Sequence, residues 1–300
     1  MARLLYGADI AEKNFKDSVE LLVEKSGRFY GSGVGCVLSI LQVGSNPASN
    51  TYVRKKLEAV QKLNSLLNET EEFKGRAMFT TQLYQLSNCT PYSNVVKSIM
   101  EAENPVIPQF PMYGRGIDEE IAFALKPEID IDGLSEGNQV ALYNGEPKII
   151  PCTAKAVMDI FEYECYNLEG KVVMIAGKSN LVGKPLIHLL LACGATVISI
   201  NSKTPRDRIK PILSQADVLI TAIGVPKYFN AEIVPDCLDY IIDVGITKVD
   251  GKLVGDVDPE LYTTFRDGCT ITPVPNGIGA ITVSNVIYNL VSLYAKTKKL

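Results

Sequence analysis

A lysine on the apolar side of a predicted helix is the first residue in this sequence that could do chemistry. Residues 45–60, SNPASNTYVRKKLEAV, follow helical periodicity, and Asn46 before a proline is a typical helix start. At about 100° per residue, Lys56 lies in the sector of the apolar side chains, whereas Lys55 lies on the opposite face. Tyr52 precedes Lys56 by four residues, so the two side chains are neighbours on the helix.

Two interpretations of Lys56 follow from this pattern. Its long side chain could extend past the apolar stripe and place the ammonium in water. Alternatively, the ammonium is partly desolvated and its pKa is lowered beside the ring of Tyr52, which suits proton transfer or the polarisation of a substrate. Lys55 is predicted to be an ordinary surface charge.

A glycine-containing turn is the second candidate, because it follows an apolar run and precedes a segment of helical composition. The turn reads GKSNLVGKP from Gly177 onward. Gly177 permits a sharp change of direction, and Gly183 permits close backbone approach where the helix begins. N–H groups at a helix start favour a pyrophosphate. The pattern is not the G-x-G-x-x-G fingerprint, and a plain strand–helix turn is the alternative.

The end of the second predicted strand indicates which dinucleotide this turn would hold. An NAD site usually carries an Asp or Glu there, about 20 residues after the glycine turn, to hold the ribose 2′-hydroxyl. This chain has INSKT at 200–204 instead, with Ser202 and Lys203 and no acid. Lys178 in the first turn adds a further positive charge. NADP, which carries a 2′-phosphate, is therefore favoured over NAD.

The elements that must position this turn form a repeated strand–helix pattern in the second half of the chain. Four apolar, β-rich runs are separated by segments of helical composition: KVVMIAG at 171–177, ATVISIN at 195–201, DVLITAIG at 217–224 and DYIIDVGI at 239–246. Near-continuous apolar strands of this kind predict a parallel sheet that is buried on both faces. We therefore predict a Rossmann-like domain over residues 151–277.

The elements that must position Lys56 belong to a separate α/β unit in the first half of the chain. The pattern predicts a buried strand at 34–44, a helix at 47–68, a helix near 91–103 and a short strand at 105–110. Residues 68–92 are polar and show poor periodicity. The last predicted helix, 281–299, has an apolar stripe that nothing near it in the sequence covers. We expect this helix to pack against the first domain.

Composition excludes several classes of function. With 46% hydrophobic and 21% charged residues and a net charge of −4, the 300 residues have the composition of a soluble globular protein with room for two domains. They lack the basic surface of a nucleic-acid or anionic-membrane binder. The single histidine, His188, excludes a three-histidine site, and no metal is expected.

The cellular compartment is also suggested by composition. Seven cysteines without a C-x-x-C pair indicate reduced thiols. The amino-terminal residues lack the apolar run of a signal peptide, and no window is expected to span a membrane. The expected location is the cytoplasm.

Seven segments, taken together and in order, are similar to one known family. They are VGSNPASNTYVRKK, PQFP, DIDGL, PCTA, GKSNLVGKP, DVGI and TPVPNGIGAIT, and the similarity extends over nearly the whole chain. The chain resembles the bifunctional methylenetetrahydrofolate dehydrogenase/methenyltetrahydrofolate cyclohydrolase family. The resemblance implies two α/β domains across a cleft: a folate-binding catalytic domain of residues 1–150 plus 278–300, and a Rossmann-like NADP-binding domain of residues 151–277. It also implies a homodimer.

The resemblance implies roles for four side chains of the first domain. Lys56 resembles the catalytic lysine of the family, and Tyr52 resembles the residue whose ring stacks on the folate. Gln109 is similar to the glutamine that contacts and tunes that lysine. Asp132 resembles the carboxylate that binds the aminopyrimidine edge of the pterin, a task that suits a planar acceptor of two N–H groups. Taken singly, Gln109 could instead be a satisfied strand-end amide, and Asp132 the residue of an Asp-Gly turn.

The remaining residues that the resemblance implies line the substrate and cofactor sites. The further substrate residues are Phe110, Pro273, Val274, Pro275, Gly277, Gly279 and Thr282. The cofactor residues are Gly177, Lys178, Ser179, Gly183, Ser202, Lys203, Gly224, Gly245 and Ile246. No metal ligand is implied.

The implied activity is the oxidation of 5,10-methylenetetrahydrofolate to 5,10-methenyltetrahydrofolate with NADP, followed by hydrolysis to 10-formyltetrahydrofolate. These reactions belong to one-carbon metabolism, which supplies purine biosynthesis. Three alternatives stay open: a dehydrogenase that has lost the cyclohydrolase step, a shikimate-dehydrogenase-like NADP oxidoreductase, and a non-catalytic NADP-binding sensor. The expected partners are tetrahydrofolate derivatives, with no nucleic acid and no membrane.

Four positions depart from the usual family pattern. Tyr113 stands where Q-L-P-L-P ends in proline, and Ser135 stands where D-G-x-H ends in histidine. Asn276 replaces the first glycine of P-V-P-G-G. Lys178 replaces the arginine of a G-R-S turn and provides a compact charge without bidentate reach. We expect these departures to affect loop geometry and cofactor preference.

Overall fold

A computed structural model describes residues 1–25 and 35–297 of the chain. The start of the strand predicted at 34–44 and the end of the helix predicted at 281–299 lie outside the described residues. The elements, in chain order, are β1 (Arg3–Leu4), α1 (Ala8–Glu24), β2 (Cys36–Val43), α2 (Pro47–Asn68), β3 (Phe79–Leu86), α3 (Tyr92–Glu101), β4 (Val106–Pro108), α4 (Arg115–Phe123), α5 (Glu136–Tyr143), α6 (Cys152–Tyr163), β5 (Val172–Ala176), α7 (Gly183–Ala192), β6 (Thr196–Ile200), α8 (Arg206–Leu213), β7 (Val218–Thr221), β8 (Tyr240–Asp243), β9 (Thr247–Val249), β10 (Lys252–Val254), α9 (Leu261–Thr264), β11 (Thr270–Thr272) and α10 (Ile278–Thr297).

The chain divides into two compact units. The sheet unit consists of Met1–Ala11 and Thr153–Thr282, and the lysine unit consists of Glu12–Cys152 and Val283–Leu300. Each unit contains strands and helices, so the fold class is α/β, as the sequence pattern predicts.

The sheet unit is built on six parallel strands in the order β1-β11-β8-β7-β5-β6. The four strands that the apolar runs predict are present as β5, β6, β7 and β8. Apolar clusters form on both sides of β5, β7 and β8, which explains why their sequences lack polar alternation, whereas Thr196 and Ser199 of β6 are exposed. The chain passes from β5 outward to β6 and then returns to β7 on the other side of β5. A topological switch point therefore lies between β5 and β7.

Residues 1–11 belong to the sheet unit, which corrects the predicted first domain of residues 1–150. β1 pairs in parallel with β11, with Arg3 opposite Thr270, and this pairing adds a strand to the edge of the sheet. A two-residue strand is too short to show periodicity, and its partner lies at the other end of the chain. The unit also extends to Thr282 instead of ending at residue 277.

The lysine unit contains a three-stranded parallel sheet in the order β3-β2-β4. The central strand β2 is almost wholly buried, whereas most side chains of the edge strand β3 are partly or fully exposed. The exposure of β3 explains why the polar stretch 68–92 gave no strand signal. Helix α2 begins at Pro47, where the proline and the preceding asparagine predict its start.

Helix α10 contributes to the core of the lysine unit from Val283 onward, as its apolar stripe predicts. The side chains of Val286, Ile287 and Leu290 are buried in one cluster with those of α2 and β2. Among the described residues, the segment Ile278–Lys296 is long and apolar enough to cross a membrane, although the sequence analysis expected no such window. Because 72% of this segment is buried inside the protein, its apolar composition is explained by a place in the core.

Candidate active site and cofactor turn

Lys56 is buried in the lysine unit. The residue is only 7% exposed, and its Nζ donates a hydrogen bond to Oε1 of Gln109 at 2.8 Å. Burial lowers the pKa of Lys56, and the negative charge of Asp132 opposes that shift. The interpretation in which the ammonium extends into water is therefore wrong, whereas Lys55 is exposed as predicted.

Tyr52 lies on α2 four residues before Lys56 and is half-buried. Burial raises the pKa of its hydroxyl, so the ring stays neutral at physiological pH. A neutral, partly covered ring offers a flat apolar surface to an aromatic ligand.

Gln109 is fixed in place by two hydrogen bonds of its own. It follows β4 directly, and its backbone N–H donates to the carbonyl of Leu41 at 2.7 Å. Its side-chain Nε2 donates to the carbonyl of Phe110 at 3.1 Å. With the amide nitrogen held in this way, the amide oxygen is directed to Lys56. Gln109 is thus a strand-end amide and also the acceptor for the buried lysine.

Asp132 and Cys152 are two further titratable groups near Lys56. Oδ1 of Asp132 accepts the backbone N–H of Cys152 at 3.3 Å. Burial raises the pKa of the Cys152 thiol well above its usual value, Asp132 raises it further, and Lys56 lowers it. The thiol is therefore neutral, between one group that can be cationic and one carboxylate.

The Asp-Gly turn suggested as an alternative for Asp132 is also present. Gly133 has φ of +65°, and a Cβ at this position would lie 2.8 Å from the carbonyl oxygen of Ile149. A residue with a side chain would be strained and crowded there. The turn therefore fixes the direction of the backbone beside Asp132 and does not exclude a binding role for its carboxylate.

Asn289 of α10 holds the same region together, and its place in the sequence does not indicate this role. Its Nδ2 donates to the carbonyls of Ile131 and Ile150, each at 2.9 Å, and to Sγ of Cys152 at 3.4 Å. The only signal in the sequence was an asparagine within an apolar stripe. Cys152 was also missed as a site residue, although it belongs to the PCTA segment that carried the resemblance.

In the lysine unit, the arrangement can move or hold a proton. A buried lysine with a lowered pKa changes protonation state more easily than an exposed one, and the amide oxygen of Gln109 fixes its direction. Asp132 is half-buried, and its Oδ1 accepts one backbone N–H, that of Cys152.

In the sheet unit, the predicted cofactor turn is tightly closed. Gly177 has φ of +122°, and a Cβ there would lie 2.4 Å from the carbonyl oxygen of Ala222. A Cβ at Gly183, the first residue of α7, would lie 2.1 Å from the carbonyl oxygen of Gly177. Oγ of Ser179 accepts the N–H of Val182 at 3.2 Å. Both glycines are required for the close backbone approach that the sequence predicts.

The other predicted cofactor residues follow the carboxyl ends of neighbouring parallel strands. Ser202 and Lys203 follow β6, Gly224 follows β7, and Gly245 and Ile246 follow β8. The carboxyl ends of parallel strands lie at one edge of a sheet, so these residues share that edge with the turn after β5.

This edge fits a dinucleotide with a 2′-phosphate. In the first turn of α7, Lys184 donates its N–H to the carbonyl of Ser179 at 3.0 Å and Pro185 has no N–H, so an anion at this helix start would be received by the N–H of Gly183. A Cβ at Gly224 would meet no described atom within 4 Å, which leaves open space after β7. The segment after β6 carries an exposed lysine, Lys203, and no acid, and Lys178 is exposed in the first turn.

The predicted substrate loop after β11 is packed within the sheet unit. The carbonyl of Asn276 accepts the N–H of Gly7 at 2.9 Å, and a Cβ at Gly277 would lie 2.6 Å from the carbonyl oxygen of Pro273. The N–H of Val274 donates to the hydroxyl of Tyr262 at 3.2 Å. Pro275 is exposed, and Thr282 is half-buried in α10.

Gly279 lies beside one predicted cofactor residue. The nearest atom to a Cβ at Gly279 would be Cδ1 of Ile246, at 4.0 Å. The predicted site residues thus fall into two groups, one in each unit. The lysine unit brings together Lys56, Gln109, Phe110 and Asp132, with Tyr52 on the same helix as the lysine, and the sheet unit carries the other substrate residues and all of the cofactor residues.

Three of the four departures from the family pattern have local structural roles. Ser135 is the N-cap of α5, where its hydroxyl oxygen accepts the N–H of Asn138 at 3.4 Å. The hydroxyl of Tyr113 donates to the carbonyl of Thr90. Asn276 has φ of +80°, a conformation that asparagine tolerates better than most residues with a side chain. Among the described residues, no group of three His, Cys, Asp or Glu side chains could hold a metal ion.

Known proteins are similar in sequence to both halves of the chain. A family profile described as the NAD(P)-binding domain of tetrahydrofolate dehydrogenase/cyclohydrolase matches residues 151–298. The bifunctional protein FolD of Dechloromonas aromatica is 34% identical over 295 residues, which cover 97% of this chain and 96% of the relative. The protein of the same name from Enterococcus faecalis is 32% identical, covering 99% of this chain and 100% of the relative.

Solved structures show the same similarity. The bifunctional 5,10-methylenetetrahydrofolate dehydrogenase/cyclohydrolase of Thermoplasma acidophilum is 29% identical with a TM-score of 0.81, covering 99% of each chain. The methylenetetrahydrofolate dehydrogenase-cyclohydrolase of Trypanosoma brucei, solved with NADP and an inhibitor, is 27% identical with a TM-score of 0.84, covering 100% of this chain and 99% of the other. Because similarity at this level extends along the whole chain, the protein belongs to the tetrahydrofolate dehydrogenase/cyclohydrolase family.

Proposed function

We propose that this protein oxidises 5,10-methylenetetrahydrofolate to 5,10-methenyltetrahydrofolate with NADP and hydrolyses the product to 10-formyltetrahydrofolate. The observation that carries the proposal is the buried Lys56, hydrogen-bonded to Gln109, in a chain of this family. Burial of a lysine costs folding free energy, and a buried lysine with a lowered pKa is typical of a site that transfers protons.

The sheet unit would bind the cofactor. The turn from Gly177 to Gly183 and the start of α7 would hold the pyrophosphate, and Ser202, Lys203 and Lys178 would lie on the side of the 2′-phosphate. When bound, NADP supplies the nicotinamide that accepts the hydride. The absence of an acid after β6 supports NADP over NAD.

The lysine unit would bind the folate and handle protons in the hydrolytic step. Asp132 would accept two N–H groups of the aminopyrimidine ring, and Tyr52 would stack on the pterin. Lys56 would hold or transfer the proton that moves when water adds to the methenyl carbon, while Gln109 keeps its amine in one direction. For the hydride transfer, Lys56 would only orient the folate.

A single set of assays tests the proposal. Purified protein is mixed with 5,10-methylenetetrahydrofolate and NADP, and the absorbance of the reduced cofactor and of the methenyl product is followed. The hydrolytic step is measured separately from the loss of added 5,10-methenyltetrahydrofolate. Repeating the first assay with NAD determines cofactor preference.

Each outcome separates one alternative. Oxidation without hydrolysis would identify a dehydrogenase that has lost the second step. NADP binding without folate turnover would identify a sensor, and turnover of a small hydroxy acid in place of folate would identify an oxidoreductase of the shikimate dehydrogenase type. The proposal expects both folate reactions.

We also propose that the protein is a homodimer and is located in the cytoplasm. The family resemblance supports the dimer, and the cysteine composition supports a reducing compartment. Light scattering of the purified protein measures the oligomeric state.

A further inference from the structure

Two buried carboxylates, Asp243 and Asp256, lie beneath the predicted cofactor edge, and the proposed function gives them no role. Both residues are fully buried, and the N–H of Asp256 donates to Oδ1 of Asp243 at 3.1 Å. A Cβ at Gly245 would lie 2.0 Å from Cγ of Asp256, and a Cβ at Gly255 would lie 1.9 Å from Oδ2 of Asp243. Gly245 and Gly255 thus leave free the space that the two carboxylates occupy.

Asp256 binds three consecutive backbone N–H groups in the loop after β7. Its Oδ2 accepts from Ile223 at 2.7 Å and from Gly224 at 3.3 Å, and its Oδ1 accepts from Val225 at 2.8 Å. Because both oxygens are acceptors, one side chain fixes the path of this loop, which includes the predicted cofactor residue Gly224.

Asp243 ties the loop after β8 to β7 and to the segment after β10. Its Oδ1 accepts from the hydroxyl of Thr221 at 3.0 Å and from the N–H of Gly245 at 3.1 Å, and its Oδ2 accepts from the N–H of Val257 at 2.9 Å. The hydroxyl of Thr247 donates to the carbonyl of Gly224 at 3.1 Å and so joins the two loops.

The position of these loops indicates which half of the dinucleotide they would meet. A dinucleotide places its 2′-phosphate at the end of β6 and its pyrophosphate at the turn after β5. In the sheet, β7 and β8 lie on the side of β5 that is opposite to β6. A ligand that extends along the carboxyl edge from β6 past β5 therefore brings its nicotinamide half to the loops after β7 and β8.

We infer that Asp256, supported by Asp243, is a positioning residue that holds the loops after β7 and β8 in the shape that receives the nicotinamide half of NADP. The inference rests on the proposed function. A carboxylate is needed because an amide offers only one acceptor oxygen and would direct its own N–H groups at backbone donors. Loss of charged hydrogen bonds to buried N–H groups is costly, since those donors are then left without an acceptor.

Isothermal titration calorimetry with two ligands tests the inference. NADP probes the whole site, and adenosine 2′,5′-bisphosphate probes only the half without nicotinamide. In Asp256→Asn we expect NADP affinity to fall by about tenfold or more, whereas affinity for the bisphosphate stays within about twofold. Asp250→Asn makes the same chemical change at an exposed position of the same unit and should alter neither affinity.

The possible results have separate meanings. A folded Asp256→Asn variant that binds NADP as the unmodified protein does would overturn the inference, and so would an equal loss of affinity for both ligands. If the unmodified protein binds neither ligand, the proposed function fails and the inference fails with it.

A second variant covers the case in which Asp256→Asn does not fold. Thr221→Val removes one donor to Asp243 with little change of shape. A loss of NADP affinity of about threefold or more, with bisphosphate affinity retained, would support the inference. Unchanged NADP affinity in that variant would overturn it.

Discussion

The protonation of Lys56 depends on neighbours with opposite effects. Burial disfavours the ammonium and lowers its pKa, while Asp132 favours the ammonium. Gln109 accepts a hydrogen bond from the amine without adding charge. A lysine whose pKa is lowered in this way can exchange a proton with a substrate at a pH closer to neutral than an exposed lysine can.

Removing this amine should stop the hydrolytic reaction. We expect Lys56→Ala to lower the rate of methenyltetrahydrofolate hydrolysis by at least about 10²-fold, because the proton-handling group is lost. Lys55→Ala is the matched control, since Lys55 is the adjacent lysine on the exposed face of the same helix. The measurement is the initial rate of methenyltetrahydrofolate loss. Hydrolysis by Lys56→Ala at a rate close to that of Lys55→Ala would contradict the role of Lys56.

The charge at position 109 should set the pH at which the rate of hydrolysis changes. Gln109→Glu places a carboxylate where the amide oxygen is now, 2.8 Å from Nζ, and so raises the pKa of Lys56. Gln109→Met removes the acceptor and lowers that pKa further. Whichever form of the lysine is active, the inflection in the pH–rate profile should move up by about one unit or more in the first variant and down in the second.

The pH dependence of kcat/KM for hydrolysis measures this effect. The two variants have side chains of similar length, so each serves as the control for the other. Shifts in the same direction would show that the inflection does not report Lys56.

At the residue scale, helical periodicity was sufficient to find Lys56 and to distinguish it from Lys55. Periodicity could not find Asn289, because its partners at Ile131 and Cys152 are more than a hundred positions away in sequence. Gln109 and Asp132 were named only from the family resemblance, since each has an ordinary local interpretation that the structure also contains.

At the scale of elements, the turn between β5 and α7 leaves no room for a side chain at Gly183. In Gly183→Ala the Cβ would lie 2.1 Å from a backbone oxygen, so the turn or the helix start must shift. We expect NADP affinity to fall by about tenfold or more, because the first turn of the helix moves away from the pyrophosphate. Isothermal titration calorimetry with NADP measures the loss.

Gly116→Ala provides the control for this substitution. Gly116 lies in α4, and a Cβ there would meet no described atom within 4 Å. Alanine in a helix should leave NADP affinity unchanged and stabilise the protein by up to about 1 kcal/mol. NADP binding by Gly183→Ala with the affinity of Gly116→Ala would show that the turn does not depend on this glycine.

Elements were predictable where burial imposed a pattern over several residues. β5, β7 and β8 are apolar runs because helices and loops cover both faces of the sheet. β3 is an edge strand with an exposed, polar sequence, and β1 is two residues long. In both, pairing with a distant strand determines the structure, and the local sequence carries little information about it.

At the scale of the whole molecule, neither unit is a continuous piece of the chain. The sheet unit requires Met1–Ala11 for β1, and the lysine unit requires the residues of α10 from Val283 onward. The apolar stripe of α10, which has no partner nearby in the sequence, predicted that this helix packs in the lysine unit. The place of β1 in the sheet unit was not predicted, because β1 carries no comparable stripe.

The free energy of unfolding should depend on pH through Asp243. Burial and, to a smaller extent, the charge of Asp256 raise the pKa of Asp243 to about 7, against the lowering effect of its hydrogen-bond donors. Between the ordinary pKa of an aspartate, about 4, and about pH 7, the folded chain keeps a proton that the unfolded chain releases. This group therefore makes the protein less stable as pH rises through that range.

Asp243→Asn removes this contribution, because asparagine does not titrate. The substitution lowers stability overall, since one acceptor oxygen is lost, but the stability of the variant relative to the unmodified protein should increase from about pH 5 to about pH 8, by on the order of a few kcal/mol. Urea unfolding at several pH values measures this difference. Asp250→Asn, at an exposed site, should show a difference that is constant with pH. A constant difference for Asp243→Asn as well would mean that Asp243 is ionised throughout, with its N–H donors outweighing the cost of burial.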